Sequence, residues 1–492
     1  MVLVVAGAAV VVVAAAVVVV VDAARSLEAA SASPLSSEPP LQATASNASA
    51  AIAAALRSAP HMRARLRKGR ETNVKLDVLS IIGRVGRSPT RHRFRQLADV
   101  SVSVVDLELP PDDDPRRTAV RTWLAEHPSP TGRQLADAGY VAPHWPRPWG
   151  LGADPIHQLI IDDELRRAAV RRPINPIGIG WAGPTLLHAG TDEQKDRYLF
   201  PLLAGEEMWC QLFSEPGSGS DLASLGTRAV RDGDEWVVNG QKIWTSLAQM
   251  ARFGILIART DPDVPKHRGV SYFVCPMDAP GITIRPIVEM TGVHTFNEVF
   301  FDKVRLPAEN LVGAVGQGWD LAKVTLANER VSLSSGGALW GQGPTAGDLL
   351  DTVREQGGVD DPGLRERLVR LHIDSEVIRL NRLRTVSARV RGEAPGPEAS
   401  VGKVMSDELG QRIFDLAKDL AGPGAMLTDV GPLGAPVRLW HHGFLFGPAL
   451  TIGGGTGEVQ RNIIAERALG LPHEPDVEAG LTWSETRRSR PT

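Results

Sequence analysis

With 492 residues, a net charge of −3 and 43% apolar residues, the chain is long enough for about three domains that each bury a core. The near-neutral balance gives no pull toward nucleic acid and excludes a binding role resting on a basic face. Two cysteines set far apart, Cys210 and Cys275, exclude a disulfide framework or zinc site and fit a reducing compartment, both thiols sitting in a core.

Met1 to Val21 is an uncharged apolar run, long enough to span a bilayer. It lacks the basic leader of a cleaved signal, so as a functional segment it reads as an anchor. Basic residues from Arg57 to Arg70 follow it, and the positive-inside rule would then leave the rest of the chain in the cytoplasm. The competing reading is a start assigned too early, with true translation beginning further on. On either reading the catalytic part is cytoplasmic. Residues 23 to 104, rich in Ala, Ser and Arg without a sustained period, read as disorder or linker.

The chemistry lies after residue 105. From 105 to 208 the periods are helical: Val120, Trp123 and Leu124 share one face, as do Ile156, Leu159, Ile160 and Leu165. Thr191 and Gln194 have capping-box spacing. Between them the prolines of Val141 to Gly150 impose a stiff loop carrying Trp145 and Trp149, which are either core anchors or walls of a pocket.

From 209 to 315 the period becomes two. Asp232-Gly233-Asp234 signals a hairpin, and Asn239-Gly240 a second turn. Strands are expected at Phe253–Ala258, Val270–Cys275, Ile282–Ile287 and Glu298–Phe301, forming a compact antiparallel barrel or sandwich. This block opens with Leu212-Phe213-Ser214-Glu215-Pro216-Gly217-Ser218-Gly219-Ser220-Asp221, a loop rich in small and hydroxyl residues. Its open backbone suits an electron-rich ring or a phosphate, and a plain polar surface loop explains it equally well. Trp244 lies on a strand beside Thr245 and Ser246; it packs in the core or covers a flat ring.

From 316 to 472 the chain is helical again. On Gly316 to Leu333, Glu329 shares a stripe with Ala322, Thr325, Leu326 and Leu333, while Asp320 and Lys323 can pair elsewhere. A carboxylate on an apolar stripe is desolvated, which raises its pKa toward that of a working base. An ion pair with Arg330 or another cation would settle it instead, and helix geometry leaves both readings open. Long helices then run to about Leu420, with a turn at Gly392 to Gly396. A glycine run, Gly453 to Gly455, feeds a helix capped by Thr456. It lacks the lysine and the spacing of a P-loop. Residues 473–492 follow as a tail.

Three of these stretches in this order resemble the acyl-CoA dehydrogenase family over residues 115 to 472. Ser214-Glu215-Pro216-Gly217-Ser218-Gly219-Ser220-Asp221 is similar to its T/S-E-P-x-A/S-G-S-D loop. Gly240-Gln241-Lys242-Ile243-Trp244-Thr245-Ser246 is similar to its G-x-K-x-W strand, and Gly454-Gly455-Thr456-Gly457-Glu458-Val459-Gln460 to its G-T-x-E/Q turn. The resemblance implies an α+β multidomain fold: an N-terminal α-helical domain (105–208), a middle antiparallel β domain (209–315) and a C-terminal four-helix-bundle-like domain (316–472). It also implies FAD, an acyl-CoA substrate oxidised to the trans-2-enoyl-CoA as in fatty-acid β-oxidation, an electron-transfer flavoprotein as acceptor, and a homodimer or homotetramer.

By position, Phe213, Ser214, Gly219 and Ser220 would line the isoalloxazine and the substrate mouth, with Trp244 and Ser246 covering the ring. Thr456 and Glu458 would meet the diphosphate-to-ribose side, and Gly422, in Ala421-Gly422-Pro423-Gly424, the adenine side. Many members carry the catalytic glutamate where this chain has Gly454. Others carry it on the helix opening the last domain, ahead of an arginine, and Glu329-Arg330 resembles that arrangement, with Arg330 bracing the site. The family's R-x-x-F-G segment has no match in Asp348 to Arg370. The alternatives are an acyl-CoA oxidase and a non-catalytic partner subunit of a heteromeric dehydrogenase.

Overall fold

The structure is a computed structural model describing residues 2–6, 9–14, 17–22, 110–333, 343–390, 398–426 and 437–489. Two units are defined, Met1–Asp106 and Leu107–Thr492. The expected linker at 23–104 and the turn at Gly392 to Gly396 lie outside the described residues.

In the first unit the apolar run is not a helix. It forms three short antiparallel strands, β1 (Val2–Ala6), β2 (Ala9–Ala14) and β3 (Val17–Asp22), in the order β1-β2-β3. The run is built largely of valine, whose branched Cβ restricts χ1 in a helix and fits a pleated surface, so strand chemistry prevails over the length that suggested a spanning helix. Among the described residues, no helix is long and apolar enough to cross a membrane.

The second unit begins with helices α1 (Pro115–Glu126), α2 (Gly132–Asp137), α3 (Pro155–Arg167), α4 (Gly183–Ala189) and α5 (Asp192–Ala204). Prolines open α1 and α3 at their first positions, and Thr131 and Thr191 cap α2 and α5 through reciprocal boxes with Gln134 and Gln194. Trp145 is only 3% exposed and packs in the core.

Eight strands follow: β4 (Trp209–Leu212), β5 (Arg228–Asp232), β6 (Glu235–Ser246), β7 (Phe253–Arg259), β8 (Val270–Pro276), β9 (Ile282–Pro286), β10 (Phe296–Pro307) and β11 (Leu311–Val312). They make one sheet in the order β11-β8-β7-β5-β6-β10-β9, antiparallel except where β4 and β5 run parallel to β7. All of β7 is buried because both of its faces are covered. Phe253, Ile255 and Ile257 join the core shared with the N-terminal helices, and Leu256 and Ala258 the core on the opposite face.

The Asp232-Gly233-Asp234 hairpin forms, with Asp232 opposite Glu235. The second expected turn does not: Asn239 and Gly240 lie inside the unbroken β6. Gly240 is there because a Cβ would lie 2.4 Å from Thr227 Oγ1, so the glycine serves close strand approach, not reversal.

The remaining helices are α6 (Gly318–Leu333), α7 (Ala346–Glu355), α8 (Pro362–Val390), α9 (Glu398–Ala421), α10 (Val437–Phe446), α11 (Gly457–Arg467) and α12 (Trp483–Ser489). Helices α7 to α10 share a third core around Leu349, Leu371, Phe414 and Trp440. Helix α6 instead packs into the first core through Leu321 and Ala322. It therefore joins the helical and sheet layers at the site described next.

Candidate active site

Glu329 is 6% exposed on α6 and accepts a hydrogen bond from Gln211 Nε2 at 3.2 Å. Gln211 belongs to β4, the strand that runs straight into the Ser214–Asp221 loop. One turn earlier, the Thr325 hydroxyl bonds to Thr185 Oγ1 of α4 at 2.8 Å and to Tyr272 Oη of β8 at 3.0 Å. Burial pushes the Tyr272 hydroxyl well above its ordinary range, so it stays neutral and can donate. The inner face of α6 is thus tied to a helix and two strands, which fixes where the Glu329 carboxylate stands. Gln211 was missed in the sequence. Its one signal is a polar residue inside the apolar run Trp209 to Phe213.

The loop and the β6 strand hold each other. Lys242, fully buried on β6, donates from Nζ to Glu215 Oε1 and to the Phe213 carbonyl, both at 2.9 Å. Glu215 also accepts from the amides of Gly226 at 2.6 Å and Thr227 at 2.9 Å. Burial opposes its ionisation, but the Lys242 charge and these donors hold its pKa below the ordinary carboxylate value. Burial likewise lowers the pKa of Lys242. Ser214 O accepts from the Ile243 amide at 2.9 Å, and Glu215 and Ser218 exchange backbone bonds at 2.9 and 3.0 Å. The conspicuous charges of both motifs are therefore structural, and they leave Gly219 and Ser220 exposed above them. A Cβ at Gly217 or Gly219 would meet nothing within 4 Å, so the loop faces open space.

Trp244 is aimed by a break in register. Asn297 pairs with Thr245 and Val299 with Lys242, so Ile243 and Trp244 together oppose Glu298 alone. Trp244 takes the left-handed conformation, φ 59°, uncommon for a bulky residue and frequent at functional sites. The bulge sends its indole outward, 56% exposed and edge-on to Phe296 at 6.0 Å, while Thr245 is buried and Ser246 half-buried. Phe296 in turn stacks on Phe446 of α10 at 6.3 Å. An exposed indole, a half-buried hydroxyl and a glycine-bearing loop open to space are a cradle that fits the flat ring of a flavin.

Other expected residues stand differently. The Phe213 ring is buried edge-on against Tyr272, so it anchors the loop from beneath. Thr456 caps α11, accepting from the Val459 amide at 3.2 Å, and Glu458 projects a largely exposed carboxylate from that helix's first turn. Gly422, at φ 54°, opens the short turn Gly422–Met426. Among the described residues, no hydrogen bond or ion pair joins Gly422, Thr456 or Glu458 to the loop. Arg330 lies on α6, and its side chain is outside the described residues. Gly454 has φ 68°, a conformation side chains rarely adopt, so a glutamate there would strain this turn.

Comparison with known proteins agrees with this architecture. Models of the acyl-CoA dehydrogenase N-terminal, middle and C-terminal domains match residues 112–206, 210–304 and 316–469. Acyl-CoA dehydrogenase IpdE1 of Mycobacterium tuberculosis is 41% identical over 70% of this chain and 87% of its own length. Acyl-CoA dehydrogenase FadE34 of the same organism is 45% identical over 69% of this chain, a match that spans 45% of FadE34. The solved Tcur3481-Tcur3483 steroid ACAD superposes with a TM-score of 0.61 at 30% identity, covering 75% of this chain and 100% of that one. The chain belongs to the acyl-CoA dehydrogenase family. It is by that membership an oxidoreductase of the FAD-dependent class.

Proposed function

We propose that the chain dehydrogenates an acyl-CoA thioester between Cα and Cβ, with Glu329 taking the α-proton. What carries the reading is the seat of Glu329: a buried carboxylate on α6, bonded to the strand that feeds the open loop. The thioester carbonyl makes the α-hydrogen acidic, and a base shielded from water removes it more readily than one in solution. The chemistry FAD would supply when bound is a two-electron acceptor for the β-hydrogen and its electron pair. The substrate thereby loses one proton and one hydride, and a double bond forms between the two carbons.

Trp244 would cover one face of the flavin ring and Ser246 would bond its edge. Ser214, Gly219 and Ser220 present hydroxyls and amides along the loop, with Ser220 and Arg330 on the substrate side. Thr456, Glu458 and Gly422 would hold the diphosphate and adenine portions. Electrons leave to an electron-transfer flavoprotein, and the subunits pair as a homodimer or homotetramer in the cytoplasm. The likeness to a protein titled a steroid ACAD favours a bulky acyl group, and we assign the side-chain thioester of a steroid as substrate.

Anaerobic titration of the FAD-loaded protein with a panel of acyl-CoAs tests this. A steroid side-chain thioester should bleach the flavin absorbance at lower concentration than butyryl- or palmitoyl-CoA. Bleaching by the straight chains alone would overturn the substrate assignment, and bleaching by none of the panel would overturn the dehydrogenation.

A further inference from the structure

The stretch after Leu471 docks on the β7–β8 connection and on Ser224, just past the Ser214–Asp221 loop. The Trp483 amide donates to Val264 O at 2.9 Å and the Ser484 amide to Pro262 O at 3.0 Å, both on the β7–β8 connection. Trp483 Nε1 donates to Ser224 O at 3.2 Å. The indole also lies over the Arg259 guanidinium, 4.9 Å from carbon to ring centroid. Arg259, 1% exposed, in turn holds the carbonyls of Ala223 at 2.5 Å and Leu225 at 3.4 Å. Lys266 Nζ bridges two carboxylates, Glu478 at 2.7 Å and Asp221, the last residue of the loop, at 3.1 Å.

These contacts form a chain of support. The segment 221–227 is held from outside by Trp483, Arg259 and Lys266, and from inside by Glu215 through the Gly226 and Thr227 amides. The start of the loop is fixed separately, by Lys242 and the Ile243 amide, while Gly217 and Gly219 face open space and the Ser218 hydroxyl ties the loop to the Asp221 and Leu222 carbonyls. The course of its C-terminal half, through Gly219 to Asp221, therefore depends on whatever fixes 221–227.

We propose that residues 476–486 act as a clasp in which Trp483 and Glu478 position the Ser214–Asp221 loop to receive the flavin. The clasp touches neither substrate nor reacting atoms, so Trp483, Glu478 and Lys266 are positioning residues. The inference rests on reading that loop as the cofactor loop, and the test separates the two.

Apoprotein of the full chain is titrated with FAD, following flavin fluorescence, for the wild type and for Trp483→Ala, Trp483→Phe, Glu478→Gln and Gly219→Val. Amide hydrogen exchange over residues 217–226 and thermal unfolding are recorded on the same apoproteins. Loss of one cation–π contact and one hydrogen bond should weaken FAD binding about tenfold in Trp483→Ala. Exchange at 217–226 should speed up, with the unfolding temperature little changed, and Trp483→Phe should recover part of the affinity. Glu478→Gln should act in the same direction, more weakly, and serves if Trp483→Ala does not fold. If Gly219→Val weakens FAD binding while Trp483→Ala and Glu478→Gln bind as the wild type does, the clasp is overturned. If Gly219→Val binds FAD unchanged, the reading of the loop itself fails.

Discussion

Lys242 and Glu215 show how a motif's most visible charges can be its frame. Lys242 is fully buried and Glu215 nearly so, and each satisfies several groups that would otherwise be orphaned. Removing one partner leaves an uncompensated charge, so Lys242→Met should destabilise the protein by about 3–5 kcal/mol in urea unfolding. A loss below about 1 kcal/mol would mean that Glu215 is held by its amide donors alone. The sequence could be read this far: it placed both residues in motifs and put Glu329 on the apolar stripe of its helix. It could not show that β6 carries a bulge at Trp244, because register depends on a partner strand more than fifty residues away. Nor could it show that the Phe213 ring turns inward, since that is settled by Tyr272 on a strand placed by tertiary packing.

Helices and strands with strong local signals were legible nearly to their ends. The capping box at Thr191, the β7 and β8 strands and the Thr456 cap all rest on near-neighbour chemistry. The failures have a common physical source. Asn239-Gly240 carries turn residues, but the glycine is required by Thr227 across the sheet. The valine run has the length of a spanning helix, but valine's branching favours strands.

Helix α9 carries a testable element of its own. Lys403 and Asp407, one turn apart and both buried, pair beneath the Leu450 carbonyl. Burial pushes the Asp407 carboxyl up to about 6 from 3.8, against the opposing pull of Lys403. A carboxyl whose folded pKa is raised contributes stability that is full below 3.8 and is lost as pH rises through about 6. Relative to Asp407→Asn, the wild type should therefore lose unfolding free energy as pH is raised across that window. Parallel curves for the two proteins would contradict the burial argument.

For the molecule as a whole, a helix that packs into the core between the N-terminal helices and the sheet brings Glu329 to the strand that feeds the Ser214–Asp221 loop. Close approach seats its start: a Cβ at Gly318 would lie 2.6 Å from the Ser271 carbonyl carbon, so α6 crosses β8 at the limit of contact. Thr325 and Glu329 then engage α4, β8 and β4 in succession. The segment after Leu471 returns to the middle block, bonding to Ser224 and Lys266 across 259 and 212 residues of sequence, a contact that no local pattern could have revealed.

Anaerobic reductive titration of Glu329→Gln against the wild type, each loaded with FAD, tests the central claim most directly. A general base contributes about 10²–10⁴ in rate, so the variant should keep its flavin yet bleach slower by that factor on addition of the acyl-CoA that bleaches the wild type. Bleaching at the wild-type rate would show that another group takes the α-proton.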